Sequence, residues 1–170
     1  MLSTIAPHEL SPDYHPEMSE FMKCAICHEA GHIVVAHNLG IAVQCVRVAG
    51  RLTITDVQMR DLDSPSRASL EKYIFLAGGI AGEQFVLGDY DREGMQDDQN
   101  KITQRGGGPI DDYLPKALSI LETSKSCIDR IRQAMTLNWA SARAEAQVSS
   151  DPDSYEVLSR VQLMHILQGC

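Results

Sequence analysis

The residues with the clearest chemical signature are His28 and His32, which flank Glu29 in the run HEAGH. In an α-helix, residues four positions apart lie one above the other on the same face, with Cβ atoms about 5 to 6 Å apart. Two imidazoles placed in this way can both reach one zinc ion at about 2.0 to 2.1 Å. Glu29 lies at the edge of that face, where it suits a zinc-bound water better than the ion itself. The motif therefore predicts one Zn²⁺ per chain, with Glu29 as general base in the hydrolysis of a peptide bond.

The helix that carries this motif is predicted to run from Pro16 to Asn38 and to stop at Gly40. It is apolar almost all round and should be buried, because both of its faces carry aliphatic or aromatic side chains: Phe21, Ala25, Ile26, Ala30, Ile33, Val34, Val35 and Leu39. A carboxylate is rarely buried unless it is paired or lies near a metal. This favours a metal site over the alternative that the histidines are ordinary core residues.

Two other interpretations use the same residues. Cys24, Cys27 and His28 form a CxxCH run, the attachment motif for c-type haem, but haem would take His28 as its axial ligand and leave Glu29 and His32 without a role. Alternatively, the chain is a zinc-stabilised regulatory or interaction module without catalysis, against which the intact Glu29 argues. Cys24 lies about 12 Å along the helix axis from His32, too far for both to bind one ion. Cys24 and Cys27 are therefore expected to be small buried apolar residues.

Beyond this helix, the pattern predicts a mainly α fold with a small β ribbon. The predicted elements are a two-strand ribbon over 40–56, helices over 65–87 and 96–104, a long helix through Leu114 and Met135, and a short final helix after Pro152. Residues 1–15 are predicted to be an irregular lead-in, and 16–170 a single domain. The strand over 43–48 is a candidate edge on which an extended peptide could pair.

Composition and charge exclude several classes of function. The formal net charge of -8, without a basic stripe, argues against a nucleic-acid partner. The sequence has no apolar stretch of the roughly 18 to 20 residues that a membrane span needs, and no signal-peptide pattern. Five cysteines at no repeating spacing favour reduced thiols. We therefore expect a soluble, cytoplasmic protein.

A catalytic zinc ion needs a third protein ligand, and the candidates are Glu83, Asp97 and Asp98. His37 lies off the ligand face of the helix. At this point the sequence resembles the peptidase domain of the FtsH family of proteases (peptidase family M41). Three segments, in the family's order, carry the resemblance: HEAGH with the following Ile33–Val35, LAGGIAGE over Leu76–Glu83, and Gly88 followed by GMQDD over Gly94–Asp98.

This resemblance implies a zincin-type helical peptidase domain in which Asp98 is the third zinc ligand and Asp97 a neighbouring non-ligand. Glu83 is a candidate for accepting the second ring N–H of a ligand histidine, and the glycines of the second segment should allow close helix packing. The resemblance also suggests assembly into rings of six, or a separate ATPase partner.

The chain departs from the family in four respects. It has no predicted transmembrane helices, and Gly106–Gly108 lacks the Gly-Lys-Ser/Thr ending of a phosphate-binding loop. We therefore expect an ATP-independent endopeptidase that acts on flexible or unfolded polypeptides. Gln99 stands where the family has Leu, and Gly82 where it has Ala.

Overall fold

A computed structural model of the chain describes residues 20–49, 52–57, 62–64, 68–146 and 154–170. These ranges contain seven α-helices and three β-strands, in the order α1 (Glu20–Asn38), β1 (Val43–Ala49), β2 (Leu52–Val57), α2 (Ser69–Leu76), α3 (Gly78–Leu87), α4 (Arg92–Gln104), α5 (Leu114–Thr123), α6 (Lys125–Ala146), β3 (Ser154–Leu158) and α7 (Arg160–Leu167). A 3-10 turn over Ile110–Asp112 precedes α5. The fold is mainly helical with a small antiparallel sheet, as predicted. The predicted lead-in over 1–15 lies outside the described residues.

Helix α1 is the centre of the core. Seven of its side chains are at most 2% exposed: Ile26, Cys27, Ala30, Ile33, Val34, Val35 and Ala36. The helix ends at Asn38, and the Gly40 N–H bonds the carbonyl of His37 at 3.1 Å. The positive φ of Gly40, 66°, then turns the chain so that the Ile41 N–H bonds the Ala36 carbonyl at 2.8 Å. This pair of bonds satisfies carbonyls that the helix end would otherwise leave without partners. The prediction of a buried helix ending at Asn38 is confirmed, and its predicted start at Pro16 lies outside the described residues.

Glycines bring α1 and α3 into close contact. A Cβ on Gly31 would overlap the Gly78 carbonyl oxygen and lie 2.8 Å from the Gly82 Cα. A Cβ on Gly82 would in turn overlap the Cys27 carbonyl oxygen. Larger residues at these positions would force the helices apart, since protein interiors are close-packed. The expectation that the glycines of the second segment permit close helix packing is therefore confirmed for Gly82, and Gly31 on α1 makes a close approach that was not predicted.

The sheet has the strand order β2-β1-β3, and both pairings are antiparallel. Val46 in β1 lies opposite Thr55 in β2 and opposite Leu158 in β3. The predicted two-strand ribbon is thus extended by a third strand, which we did not predict because its pairing joins distant parts of the chain. The prediction of a peptide-binding edge over 43–48 is wrong for 46–48, since β1 is paired on both sides there. In the described part of the chain, β2 forms an outer strand.

Several helix boundaries differ from the predictions. The single helix predicted over 65–87 is divided at Ala77 into α2 and α3, and the glycine-rich α3 packs against α1. Its predicted first residues, 65–67, lie outside the described residues. The long helix predicted after Leu114 is interrupted at Ser124. Helix α4 begins at Arg92, earlier than predicted, because the Asp91 side chain accepts the N–H groups of two first-turn residues.

The C-terminal segment folds back onto α6. Its predicted short helix is present, but only Leu163 is fully buried, whereas Val161 and Met164 are 77% and 51% exposed. Cys127 in α6 and Cys170 form a disulfide, with Cα atoms 5.5 Å apart. The expectation of reduced thiols is therefore wrong for this pair, because tertiary packing joins positions 43 residues apart. None of the described helices is long and apolar enough to cross a membrane.

Candidate metal centre

Helix α1 presents three polar side chains to its surroundings within one turn. The side chain of His28 is 15% exposed, while Glu29 and His32 are 4% and 6% exposed as residues. The two histidines lie on the same helix face, with imidazole ring centroids 4.8 Å apart. The local geometry that the HEAGH motif predicted is therefore present.

Helix α4 supplies a third donor to the same point. Asp98 is 1% exposed, and its Oδ2 atom lies 3.3 Å from His28 Nε2 and 3.4 Å from His32 Nε2. The two Nε2 atoms are themselves 3.1 Å apart. His28, His32 and Asp98 thus form a group that could hold a metal ion.

The hydrogen bonds of the two imidazoles determine which ring nitrogens face this group. His32 Nδ1 lies 2.9 Å from the Phe75 carbonyl oxygen, which can only accept, so Nδ1 carries the proton. His28 Nδ1 lies 2.6 Å from the Glu83 carboxylate and likewise donates. In the neutral rings, both Nε2 atoms then carry lone pairs that converge on the Asp98 carboxylate. A positive charge between the donors, from a proton or from a metal cation, would stabilise this arrangement.

The spacing of the donors matches tetrahedral coordination. Ligands at about 2.0 to 2.1 Å from a tetrahedral ion are separated from one another by about 3.3 to 3.4 Å. The separations in the structure are 3.1, 3.3 and 3.4 Å. Asp98 Oδ2 is buried and has no hydrogen-bond partner, as expected of an atom arranged for an ion. Three protein donors would leave a fourth position for water or substrate.

Gly79 keeps the space beside these donors open. A Cβ at this position would overlap the His28 ring and lie 2.6 Å from His32 Nε2. The second glycine of the Gly78-Gly79 pair therefore has a role beyond helix packing. The sequence does not predict this role, because it depends on where α3 crosses α1.

The electrostatics of the group favour a bound positive charge. Burial by itself would lower the pKa of His28, but the carboxylates of Asp98, Glu83 and Glu29 outweigh that effect and raise it to about 10. Burial would raise the pKa of Asp98, but the His32 and His28 imidazoles hold it well below its usual range. The site therefore binds a proton tightly in the absence of a metal cation, as expected of a place where positive charge is stabilised.

Glu29 lies next to the group without belonging to it. Its Oε2 atom accepts a hydrogen bond from the Thr55 hydroxyl on β2 at 2.5 Å. The sheet thus contacts the motif helix at the residue predicted to be the general base. Sequence reasoning missed Thr55, because no local pattern relates it to Glu29.

The other candidate residues are placed as follows. Asp97, the alternative ligand, points to solvent with a side chain 70% exposed and forms an ion pair with Lys101 at 2.7 Å. Glu83 is buried and binds His28 rather than joining the ligand group, and its second oxygen accepts the Asp91 backbone N–H. Cys27 is buried, as expected, whereas Cys24 is only half-buried. The Phe75 carbonyl was also missed, because a backbone acceptor leaves no signal in the sequence.

No protein-family model matches the chain, and no curated protein matches it significantly.

Proposed function

We propose that this chain is a zinc-dependent endopeptidase with a zincin-type site resembling that of FtsH-like proteases. The observation that carries the proposal is the convergence of His28, His32 and Asp98 at tetrahedral spacing, beside a buried Glu29. Two imidazoles and one carboxylate are a donor set typical of catalytic zinc. The bound zinc ion would lower the pKa of a coordinated water towards about 7 and polarise the scissile carbonyl.

The protein residues have separate roles in this proposal. Glu29 accepts a proton from the attacking water while the water oxygen bonds to the carbonyl carbon of the substrate. Glu29 then returns that proton to the leaving amine as the C–N bond breaks. Glu83 and the Phe75 carbonyl hold the rings of His28 and His32 so that each Nε2 faces the metal. The proton is conserved over the reaction, and one water is consumed for each peptide bond.

The substrate that we propose is an extended polypeptide. Strand β2 runs beside Glu29, and in the described part of the chain it pairs on one side only. A peptide added along its outer edge would be held by backbone hydrogen bonds, which tolerate many side chains. Flexible or unfolded segments can adopt this conformation without ATP. Folded substrates would require a separate ATPase partner or a ring-shaped assembly.

The test compares cleavage of unfolded casein by zinc-loaded wild type and by Glu29→Gln. We expect the variant to keep its zinc and lose cleavage, because the amide cannot accept the proton. Glu122→Gln, which changes an exposed carboxylate on α5, is the matched control and should cleave normally. Undiminished cleavage by Glu29→Gln would remove Glu29 as the base.

Two further outcomes separate the alternative interpretations. A wild-type protein that holds zinc without cleaving any polypeptide would instead favour a zinc-stabilised interaction module. A haem absorption spectrum of the purified protein would favour attachment through Cys24 and Cys27.

A further inference from the structure

The contact between Thr55 and Glu29 joins the sheet to the helix that carries the metal ligands. The two residues are 26 positions apart, and the Thr55 Oγ1 donates to Glu29 Oε2 at 2.5 Å. Glu29 is 4% exposed and Thr55 is half-buried. A short bond from a hydroxyl to a carboxylate is of the stronger, charge-assisted kind.

The strand geometry determines which side chain of β2 can make this contact. Successive side chains of a strand point to opposite faces, so Thr55 and its neighbour Asp56 face in different directions. Asp56 accepts a hydrogen bond from Arg47 at 2.6 Å on β1. The backbone of Thr55 is held opposite Val46, which is fully buried in the central strand. The hydroxyl is therefore presented from a rigid, paired position.

Holding one oxygen of a carboxylate determines where the other lies. A glutamate side chain has three rotatable torsions, and fixing it costs side-chain entropy. The bond from Thr55 restricts the carboxylate through Oε2 and leaves Oε1 for the water. A general base must be within hydrogen-bond reach of the proton that it removes, and small misplacements cost rate.

We propose that Thr55 is a positioning residue that orients Glu29 for its role as general base. This inference rests on the proposed peptidase function and deepens it. Because Thr55 lies on the outer strand of the described sheet, the element that we propose to pair with substrate is also the one that orients the base. Thr55 itself exchanges no proton with the substrate.

The experiment measures kcat and KM for an unfolded casein peptide, with zinc content, in three Thr55 variants. Thr55→Val keeps the shape and β preference of threonine but removes the donor, and we expect kcat to fall about 10- to 100-fold with KM and zinc unchanged. Thr55→Ser restores a hydroxyl and should recover most of kcat. Thr55→Ala also removes the hydroxyl donor, but it does not put a methyl group in its place as valine does. A loss of kcat in Thr55→Val but not in Thr55→Ala would therefore indicate a packing effect and overturn the inference.

The matched control is Thr123→Val, which removes an exposed threonine hydroxyl bonded to a carbonyl of its own helix. It should leave kcat unchanged. An active wild type with full kcat in Thr55→Val overturns the inference and leaves the proposed function standing. A zinc-loaded wild type that cleaves nothing overturns both.

A second measurement tests the contact without an activity assay. Thermal unfolding of zinc-loaded Thr55→Val, Glu29→Ala and the double variant forms a double-mutant cycle. We expect Thr55→Val to lower Tm by about 2 to 8 °C in the wild-type background and by much less in Glu29→Ala. Additive shifts would show that the two side chains are not coupled, and would overturn the inference.

Discussion

Glu83 accepts the Nδ1–H of His28 at 2.6 Å, although the two residues lie 55 positions apart in the chain. Its other carboxylate oxygen accepts the backbone N–H of Asp91, the residue that caps α4. Since α4 carries Asp98, one buried carboxylate links the orientation of His28, the first candidate ligand, to the start of the helix that bears the third. The candidate metal centre is therefore supported by a residue outside the His28, His32 and Asp98 group.

Replacing Glu83 should weaken metal binding while leaving the ligands in place. We expect Glu83→Gln to lower zinc affinity by about 10- to 100-fold, because the amide no longer provides a charged acceptor for the His28 ring. Competition with a chromophoric chelator measures the affinity. Glu122→Gln, an exposed substitution on α5, should bind zinc as the wild type does. Equal affinities in the two variants would show that the His28 contact does not support the site.

The two adjacent aspartates of α4 should differ sharply in their effect on zinc. Asp98→Ala removes one of the three donors and should reduce the metal content from about one zinc per chain to a small fraction. Asp97→Ala is the matched control, because its carboxylate is exposed and pairs only with Lys101 among the contacts described for it. Elemental analysis of both variants, purified without a polyhistidine tag, makes the comparison. Retention of zinc by Asp98→Ala would redirect the search to Glu83.

Gly79 should tolerate no side chain. In Gly79→Ala, the added Cβ meets both imidazoles, so the helices or the rings must shift. We expect loss of zinc and a destabilisation of about 1 to 3 kcal/mol, the usual cost of overpacking. Gly94→Ala tests the same change on α4, where the nearest atoms are 3.6 Å from the new Cβ. Measurements of zinc content and urea unfolding should therefore show a loss in Gly79→Ala and little change in Gly94→Ala. A well-folded, zinc-loaded Gly79→Ala would contradict the described packing.

Cys45 should be an unreactive thiol at neutral pH. Burial, together with the charges of Asp56 and Glu156, raises its pKa to about 11 despite the opposing effect of Arg47. Because the thiolate is the nucleophile, only about one thiol in a thousand is reactive at pH 8, and alkylation should accelerate about tenfold per pH unit up to that pKa. Iodoacetamide labelling followed by peptide mass mapping measures the rate, with glutathione as the reference thiol. Labelling of Cys45 as fast as glutathione at pH 8 would contradict this environment.

The local part of the site follows from the sequence alone. Helical spacing places His28 and His32 on one face, and the apolar residues around them require that this face be buried. The end of α1 at Gly40 could also be predicted, because glycine readily adopts the left-handed conformation that the cap needs. These features depend only on neighbours within a few positions. The same holds for the mainly helical character of the chain.

The rest of the site depends on contacts between distant segments, which only the tertiary structure decides. Sequence spacing left Glu83, Asp97 and Asp98 all open as partners of the histidines, and the family resemblance was needed to favour Asp98. The crossing of α1 and α3 and the packing of α4 bury Asp98 and leave Asp97 in solvent. The third strand and the Cys127–Cys170 disulfide were missed for the same reason, since each joins residues that are far apart in the chain. Periodicity shows which face of an element is buried, but not which other element covers it.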